Sequence, residues 1–565
     1  MAVTDQGASP SEVDVVIVGT KHAHHDQGKI VTNHPLAGNG PSAMILSYIL
    51  HGNIPFYNAQ HPHPDPFLHE KLKDAPELLH LDIARLTDHF EASRFSYSTQ
   101  ALPVNSLLDA LVRPGGDIDD DTPSCIEWRH FPEKAVPHLV LGNAERPGGQ
   151  WTECPPDTKW DIQSLSYAGM LSLPGYSFDD HHRRLHGTDM PPFTRPSRQE
   201  ISDYMAAYPS VVGIDGVFRS NQQIGNVIRT DGKFCIGSHG IRCNHLVLAS
   251  GIFTEPKTAR PLLQPLLHLE PPSVPTKELA PLLVIGSGFS AADIIISAPP
   301  DQKIIHIFKW EPDTKPSPLK GCHQRAYPEY AGVYRLMKRT ATVKPRDGNG
   351  RTNLMTFRPG TLTPFLESRD WNDIYEGLPN TRVVDAKVHG GGRGEVTLCM
   401  HDGTTLTRSV SGLSYAVGRR GSLNYLDNGL RGEIIGQKAT DDGDLISART
   451  LRAQSQNDLE VAKDVFVIGS LTGDSLIRFA YGGCVYVAGK IMAASKKVIN
   501  GLEPKEKGDK ANGAVNGIKK NHHPDNSIGS SAGHRRDDPP PEQPVGGKGK
   551  SRKKGWWASC FRSLR

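Results

Sequence analysis

Hydrophobic positions in this chain gather into short runs that end on glycine, with long polar stretches between them. Residues 14–18 read Asp-Val-Val-Ile-Val and close on Gly19. A brief β-branched run bounded by a turn residue predicts a buried strand. An apolar helix is predicted over 41–50, and a second short strand over 54–57 ends at Asn58. Residues 60–200 are rich in His, Pro and Asp and predict irregular chain with short helices. Three more strands are predicted: 245–248 enters Ala-Ser-Gly, 281–285 enters Gly-Ser-Gly-Phe-Ser-Ala-Ala-Asp, and 465–468 enters Gly-Ser-Leu-Thr-Gly-Asp and a final helix. From about residue 501 the composition turns to Lys, Gly, Asn, Pro and Asp, which predicts a disordered tail.

Two of these units have the order strand, glycine turn, helix. In the later one, Gly286 permits the tight turn, Gly288 lets backbone approach a pyrophosphate, and Ala291 lets helix pack on strand. The phosphates then sit on free N–H groups at a helix N-terminus. About 20 residues on, where the ribose is read, a second strand ends in Lys309, a cation suited to the 2′-phosphate of NADPH rather than to NADH. Asp293 reads as a first-turn helix residue favoured by the dipole. In the earlier unit the strand ends at Gly19, but the turn Gly38-Asn39-Gly40-Pro41-Ser42-Ala43 begins only at residue 38. Without residues 20–38 the chain would read Asp-Val-Val-Ile-Val-Gly-Asn-Gly-Pro-Ser-Ala-Met, an uninterrupted turn. The segment is therefore either a long loop insert or a translated intron, and an mRNA encoding it would exclude the second. Its histidines (22, 24, 25 and 34) have no partner cluster in sequence, so no metal is expected. Asn58 stands where an acidic ribose ligand is usual, and offers a weaker hydrogen bond than a carboxylate.

Length and composition narrow the picture further. A chain of 565 residues predicts two or three folded units, and a net charge of +3 does not suit a nucleic-acid binder. The eight cysteines form no Cys-x-x-Cys pair, which fits a reducing, cytoplasmic compartment. The polar, acidic N-terminus does not read as a signal peptide, and no run of about 18 apolar residues predicts a membrane span. The tail differs. Residues 545–565 carry seven Lys or Arg and no acid, interleaved with Trp556, Trp557, Phe561 and Leu564. Basic charge with interfacial aromatics suits an anionic membrane surface, and Cys560 is a candidate for S-acylation. A solvated basic tail, with a nuclear-localisation-like cluster at 550–554, is the other reading.

Three further segments complete the set: Gly148-Gly149-Gln150-Trp151, the Leu-Ala-Ser-Gly-Ile-Phe-Thr-Glu-Pro stretch at 248–256, and Val-Ile-Gly-Ser-Leu-Thr-Gly-Asp-Ser-Leu-Ile-Arg at 467–478. In this order around two glycine turns they resemble the flavin-dependent monooxygenases, and Pro-Ser-Arg-Gln-Glu-Ile-Ser-Asp-Tyr-Met-Ala-Ala-Tyr (196–208) resembles their N-hydroxylating branch. Longer phrases, among them Trp-Asp-Ile-Gln-Ser-Leu-Ser-Tyr-Ala-Gly-Met-Leu and Tyr-Ala-Val-Gly-Arg-Arg-Gly-Ser-Leu-Asn-Tyr-Leu, resemble the oxidative-stress-induced growth inhibitor family over most of residues 11–500.

The resemblance implies an α/β protein with two Rossmann-like lobes. The FAD lobe is discontinuous, 11–270 and 411–500, with the NAD(P)H lobe inserted at 276–410 and a disordered basic tail at 501–565. It implies an FAD- and NADPH-dependent monooxygenase linked to growth and cell division. Gly38, Gly40, Ser42, Gly149, Trp151 and Asp474 fall at FAD positions, and Gly286, Gly288, Ser290 and Lys309 at NADPH positions. Arg478, four residues after Asp474, is a candidate to stabilise charge on reduced flavin or to form a helix ion pair. The expected co-substrates are dioxygen and a soft nitrogen or sulfur nucleophile, on a small molecule or a protein side chain. The Phe-x-Gly-x-x-x-His signature of the drug-type enzymes is absent, which leaves two alternatives open: a non-catalytic flavoprotein scaffold in growth control, and an uncoupled NADPH oxidase releasing hydrogen peroxide.

Overall fold

Four residues in a row, Val15 to Val18, are fully buried, because the strand Ser11–Gly19 has neighbours on both sides and cover on both faces. It pairs in parallel with Ile241–Leu248 on one side and His138–Gly142 on the other. Val465–Val467 and Phe218–Arg219 extend the parallel sheet at its two ends. Runs buried on both faces read as continuous apolar sequence rather than alternating sequence. The helix Pro41–Leu50 packs on one face beside the final helix Ala480–Ala494. The computed structural model describes residues 11–19, 39–153, 160–269, 280–342, 364–389, 392–436 and 445–496, apart from 96, 99, 118, 120, 121, 323 and 325. It also describes the backbone of a small hairpin pairing His25–Asp26 with Lys29–Ile30. The tail and Cys560 lie outside the described residues.

The second lobe shows why alternation matters. Its sheet runs Tyr375–Pro379, Ile304–Phe308, Leu282–Ile285, Gly412–Tyr415, all parallel. Leu282 and Val284 face the helices Phe289–Ser297 and Pro328–Thr342. Leu283, Ile305 and Ile307 face an antiparallel three-stranded meander, Arg382–His389, Arg393–Cys399 and Thr405–Val410. Period-two side-chain placement thus fills two separate cores from one sheet. Two Rossmann-like lobes, the first interrupted in sequence by the second, are what the sequence predicted. One boundary moves: Gly412–Tyr415 pairs with Leu282–Ile285, so the second lobe runs to at least residue 415 rather than ending at 410.

Short helices fill 60–200 as expected. Among the described residues no helix is long and apolar enough to cross a membrane.

Three buried histidines give the fold an acid limit. Burial holds His63, His138 and His306 at about 4, with Asp65 opposing the effect only in part at His63. Each is neutral when folded and takes up a proton near 6.5 when unfolded, so stability is complete above pH 6.5 and drains as pH falls toward 4. The loss approaches about 3 kcal/mol per histidine at the acid limit. Melting temperature should therefore fall steeply between pH 6.5 and 4, and a flat profile over that range would contradict this.

Candidate functional site

The C-terminal ends of the first sheet's strands converge on one point, where ligands of open α/β sheets bind. Asn39 lies at its centre, fully buried, with a left-handed backbone at φ +59°. Its carbonyl accepts from Gly148 N at 3.0 Å. Its side chain lies against the end of the neighbouring strand, so closely that a β-carbon on Gly142 would stand 2.2 Å from Asn39 Oδ1. The helix Pro41–Leu50 starts at Gly40 with no side-chain cap, and no described residue comes within 4 Å of where a β-carbon on that glycine would lie. Ser42 is in its first turn, and a β-carbon on Gly469 would fall 2.4 Å from Ser42 Oγ. Gly148 and Gly149, both at positive φ, turn the chain into the short helix Gln150–Glu153, where Trp151 is half-buried under the Arg198 guanidinium at 5.9 Å.

These residues fit a dinucleotide. Uncapped N–H groups wait at a helix N-terminus, and among the described residues Asn39 Oδ1 is a buried acceptor without a donor, suited to a ribose hydroxyl. The structure brings Gly40, Ser42, Gly149 and Trp151 to this edge. Gly38 lies outside the described residues.

Two FAD-site expectations are corrected. Asn58 does not stand at the ribose position. Its strand, Asn53–Tyr57, pairs antiparallel with Ile126–His130, outside the parallel sheet, and Asn58 Oδ1 accepts from Gln60 N at 2.9 Å in a local turn. The strand beside Ser11–Gly19 is His138–Gly142, so the ribose position follows Gly142, at the buried Asn143. The usual spacing of about 20 residues failed because residues 51–137 intervene.

Asp474 is also engaged elsewhere. Its carboxylate accepts from Leu102 N at 2.8 Å, Asn105 Nδ2 at 2.7 Å and Arg452 Nη1 at 2.6 Å, tying the loop to the helix Pro103–Val112. Gly469, directly after the strand, is the residue of this segment that meets the first turn.

Arg478 does not pair with Asp474, and no helix has begun at 474; the turn Ile477–Phe479 is a 3-10 turn. Its guanidinium is clasped by Asp109 (Nη2–Oδ2 2.6 Å) and by Asp117. Burial alone would raise Asp109, but Arg478 and then Arg113 outweigh it and hold the carboxyl low. Both edges of the guanidinium are engaged in this buried knot, so its charge is answered by two carboxylates. Cys484 is fully buried and packed against Ser42 O at 3.2 Å, as a small core residue.

The second turn follows directly on the strand Leu282–Ile285. Gly286 admits no side chain, because a β-carbon would lie 2.3 Å from Ala416 O. Gly288 begins the helix Phe289–Ser297 without a side-chain cap and with only Pro318 near, at 3.9 Å. Ser290 is exposed in the first turn, and Lys309 is exposed immediately after Ile304–Phe308, the strand beside Leu282–Ile285. His306 buttresses the turn from that strand, with Nε2 at 2.7 Å from Gly286 O and Nδ1 at 2.8 Å from Tyr375 Oη. A pyridine dinucleotide fits this cradle.

Asp293 lies one turn deeper than the dipole reading placed it. It is the fifth helix residue, half-buried, and accepts from Tyr330 Oη at 2.6 Å. Burial pushes it up to about 7, with Tyr330, Arg195 and Arg198 opposing. A raised carboxyl stabilises nothing above its folded value: stability falls as pH climbs from about 4 to 7 and is level beyond. Asp293→Asn should therefore leave stability unchanged at pH 4 and raise it by about 1–3 kcal/mol at pH 8. Denaturant titrations at the two pH values check this.

No protein-family model matches the chain. Among solved structures it is similar to a flavin-containing monooxygenase from Stenotrophomonas maltophilia, with TM-score 0.44, 13% identity, 86% of this chain and 99% of that one. It is similar in the same way to a bacillithiol disulfide reductase from Staphylococcus aureus, with TM-score 0.43, 10% identity, 86% of this chain and 99% of that one. Among curated proteins it is 25% identical over 513 residues to oxidative stress-induced growth inhibitor 1 of Mus musculus, covering 83% of this chain and 97% of that protein. With oxidative stress-induced growth inhibitor 2 of Homo sapiens the identity is also 25%, over 532 residues, 82% of this chain and 93% of that protein. The likeness read from the motifs is thus borne out along most of the chain, which is similar to the oxidative stress-induced growth inhibitors.

Proposed function

We propose that the chain is an FAD- and NADPH-dependent monooxygenase acting on a soft nitrogen or sulfur nucleophile, with a role in growth control like that named in its relatives. The observation that carries this reading is the pair of strand–glycine–helix turns, each ending in an uncapped helix N-terminus. Bound FAD would supply the redox chemistry, accepting hydride from NADPH and passing electrons to dioxygen. The protein's own share is binding and placement. The first-turn N–H groups of Pro41–Leu50 hold one pyrophosphate, and Asn39 and Asn143 accept from its ribose. Gly286 and Gly288 let the second pyrophosphate approach. Lys309 neutralises the 2′-phosphate and so favours NADPH over NADH. No side-chain nucleophile is needed.

The test is NADPH consumption by FAD-loaded protein with peroxide measured in parallel. Consumption that depends on an added amine or thioether supports the monooxygenase. Consumption matched by peroxide without substrate supports the uncoupled oxidase and defeats the first reading. A non-catalytic scaffold is the second reading, favoured by residues 20–38, which part the strand from its turn. We further propose membrane contact through residues 545–565; a fluorescent fusion of 501–565 that stays diffuse in the cytosol would defeat it.

A further inference from the structure

By chain order residues 160–198 belong to the first lobe, between Trp151 and the helix Arg198–Val211, yet they grip the second. Ile162 is buried in the second lobe's helical core, with Trp160 and Leu165 beside it. Gln163 N donates to Ser297 Oγ at 3.1 Å. At the far end of the segment, Arg195 enters a cage of three tyrosines. Its guanidinium carbon lies 5.0 Å from the Tyr167 ring centre, 5.5 Å from Tyr330 and 5.7 Å from Tyr327. Nη1 pairs with Glu329, and Nη2 donates to Ala326 O at 3.0 Å. Only 10% of the side chain is exposed. A desolvated planar guanidinium that stacks and forks at once is a rigid joint.

The joint is wired into both lobes. Tyr330 Oη donates to Asp293, on the helix whose N-terminus is the second glycine turn. Tyr327 Oη donates to Asp117 Oδ2 at 3.2 Å, and Asp117 holds Arg478 in the first lobe. One polar chain therefore runs from Arg478 through Tyr327, the Arg195 cage and Tyr330 to Asp293.

We propose that Arg195 is a positioning residue that fixes the angle between the two lobes, so that the two bound nucleotides meet in one orientation. This rests on the reading that NADPH reduces FAD in this chain. Arg195 touches neither nucleotide site directly; it acts through Glu329, Tyr330 and Asp293.

The test uses the full chain with Arg195→Ala, and Tyr330→Phe as a milder variant that removes only the hydroxyl. Two quantities are read: amide exchange in residues 160–167 and Pro328–Thr342, and the rate constant of FAD reduction at saturating NADPH. For Arg195→Ala we expect exchange at least tenfold faster in both segments. Reduction should be at least tenfold slower, with FAD content and NADPH affinity within twofold of the parent. Millimolar guanidinium should restore part of the rate. Tyr330→Phe should slow reduction two- to fourfold with exchange in 160–167 unchanged. Unchanged exchange in Arg195→Ala overturns the proposal, as does faster exchange with an unchanged rate constant. If the parent protein binds FAD that NADPH does not reduce, the functional reading fails by itself, and the exchange comparison alone decides whether Arg195 joins the lobes.

Discussion

Excising residues 20–38 will tighten FAD binding, by roughly ten- to a hundredfold. Gly19 is the last residue of the first strand and sits opposite Gly142 in the parallel register. The Asn39 side chain lies on that same Gly142. Gly19 and Asn39 therefore both lie at Gly142, and joining them produces Gly19-Asn39-Gly40-Pro41-Ser42-Ala43. Where FAD binding is what closes this corner, a connection of about 20 residues sets about 2–3 kcal/mol of closure cost against the binding free energy; a direct join avoids it, which sets the size of the gain. Isothermal titration of FAD into the two chains checks it. Equal or weaker binding by the shortened chain would mean that residues 20–38 build part of the site rather than interrupt it.

Arg478→Ala will destabilise the protein by about 3–5 kcal/mol. The substitution leaves Asp109 and Asp117 buried, with only Arg113 to answer Asp109, and an uncompensated buried charge is among the costliest single changes. The knot also joins three segments, the helix Pro103–Val112, the 3-10 turn Ile477–Phe479 and, through Arg113 to Gly169 O at 3.4 Å, the short helix Ala168–Leu171. Replacing Arg478 together with Asp109 and Asp117 by apolar residues of similar size should recover much of the loss. Urea unfolding of the single and triple variants measures both. A flavin-stabilising arginine would behave differently: its alanine variant would keep stability and change the flavin's reduction potential.

The lobes were legible because each strand and its turn are local in sequence. Residues 14–18 and 281–285 declare buried strands by composition, and Gly286 and Gly288 follow at once. What failed was spacing across insertions. Counting about 20 residues from the turn puts Asn58 at the ribose, a count that holds only when strand, helix and strand are consecutive. Here 51–137 intervenes, and the pairing of His138–Gly142 with Ser11–Gly19 was not readable without the fold. The cue was nonetheless present: an apolar run ending Gly142-Asn143, five residues before Gly148-Gly149, repeats the strand-then-turn grammar of the other units. A helical spacing pairs Arg478 with Asp474, but the chain adopts no helix there; their partners, Asp109 and Arg452, lie on the helices Pro103–Val112 and Arg452–Asn457, 369 and 22 residues away in sequence. Asp293 looked like a dipole residue because nothing in the sequence reveals Tyr330 above it. Long-range polar contacts of this kind depend on tertiary packing and leave no periodic trace.

In the proposed function a flavin sits at the converging ends of Ser11–Gly19, His138–Gly142 and Val465–Val467. The direct measurement is the visible absorbance spectrum of the purified protein, before and after incubation with excess FAD and removal of the unbound fraction. One FAD per chain is expected, lost on Gly142→Val, whose side chain would occupy the place of Asn39. A protein that stays colourless with and without residues 20–38, while remaining folded, would contradict it.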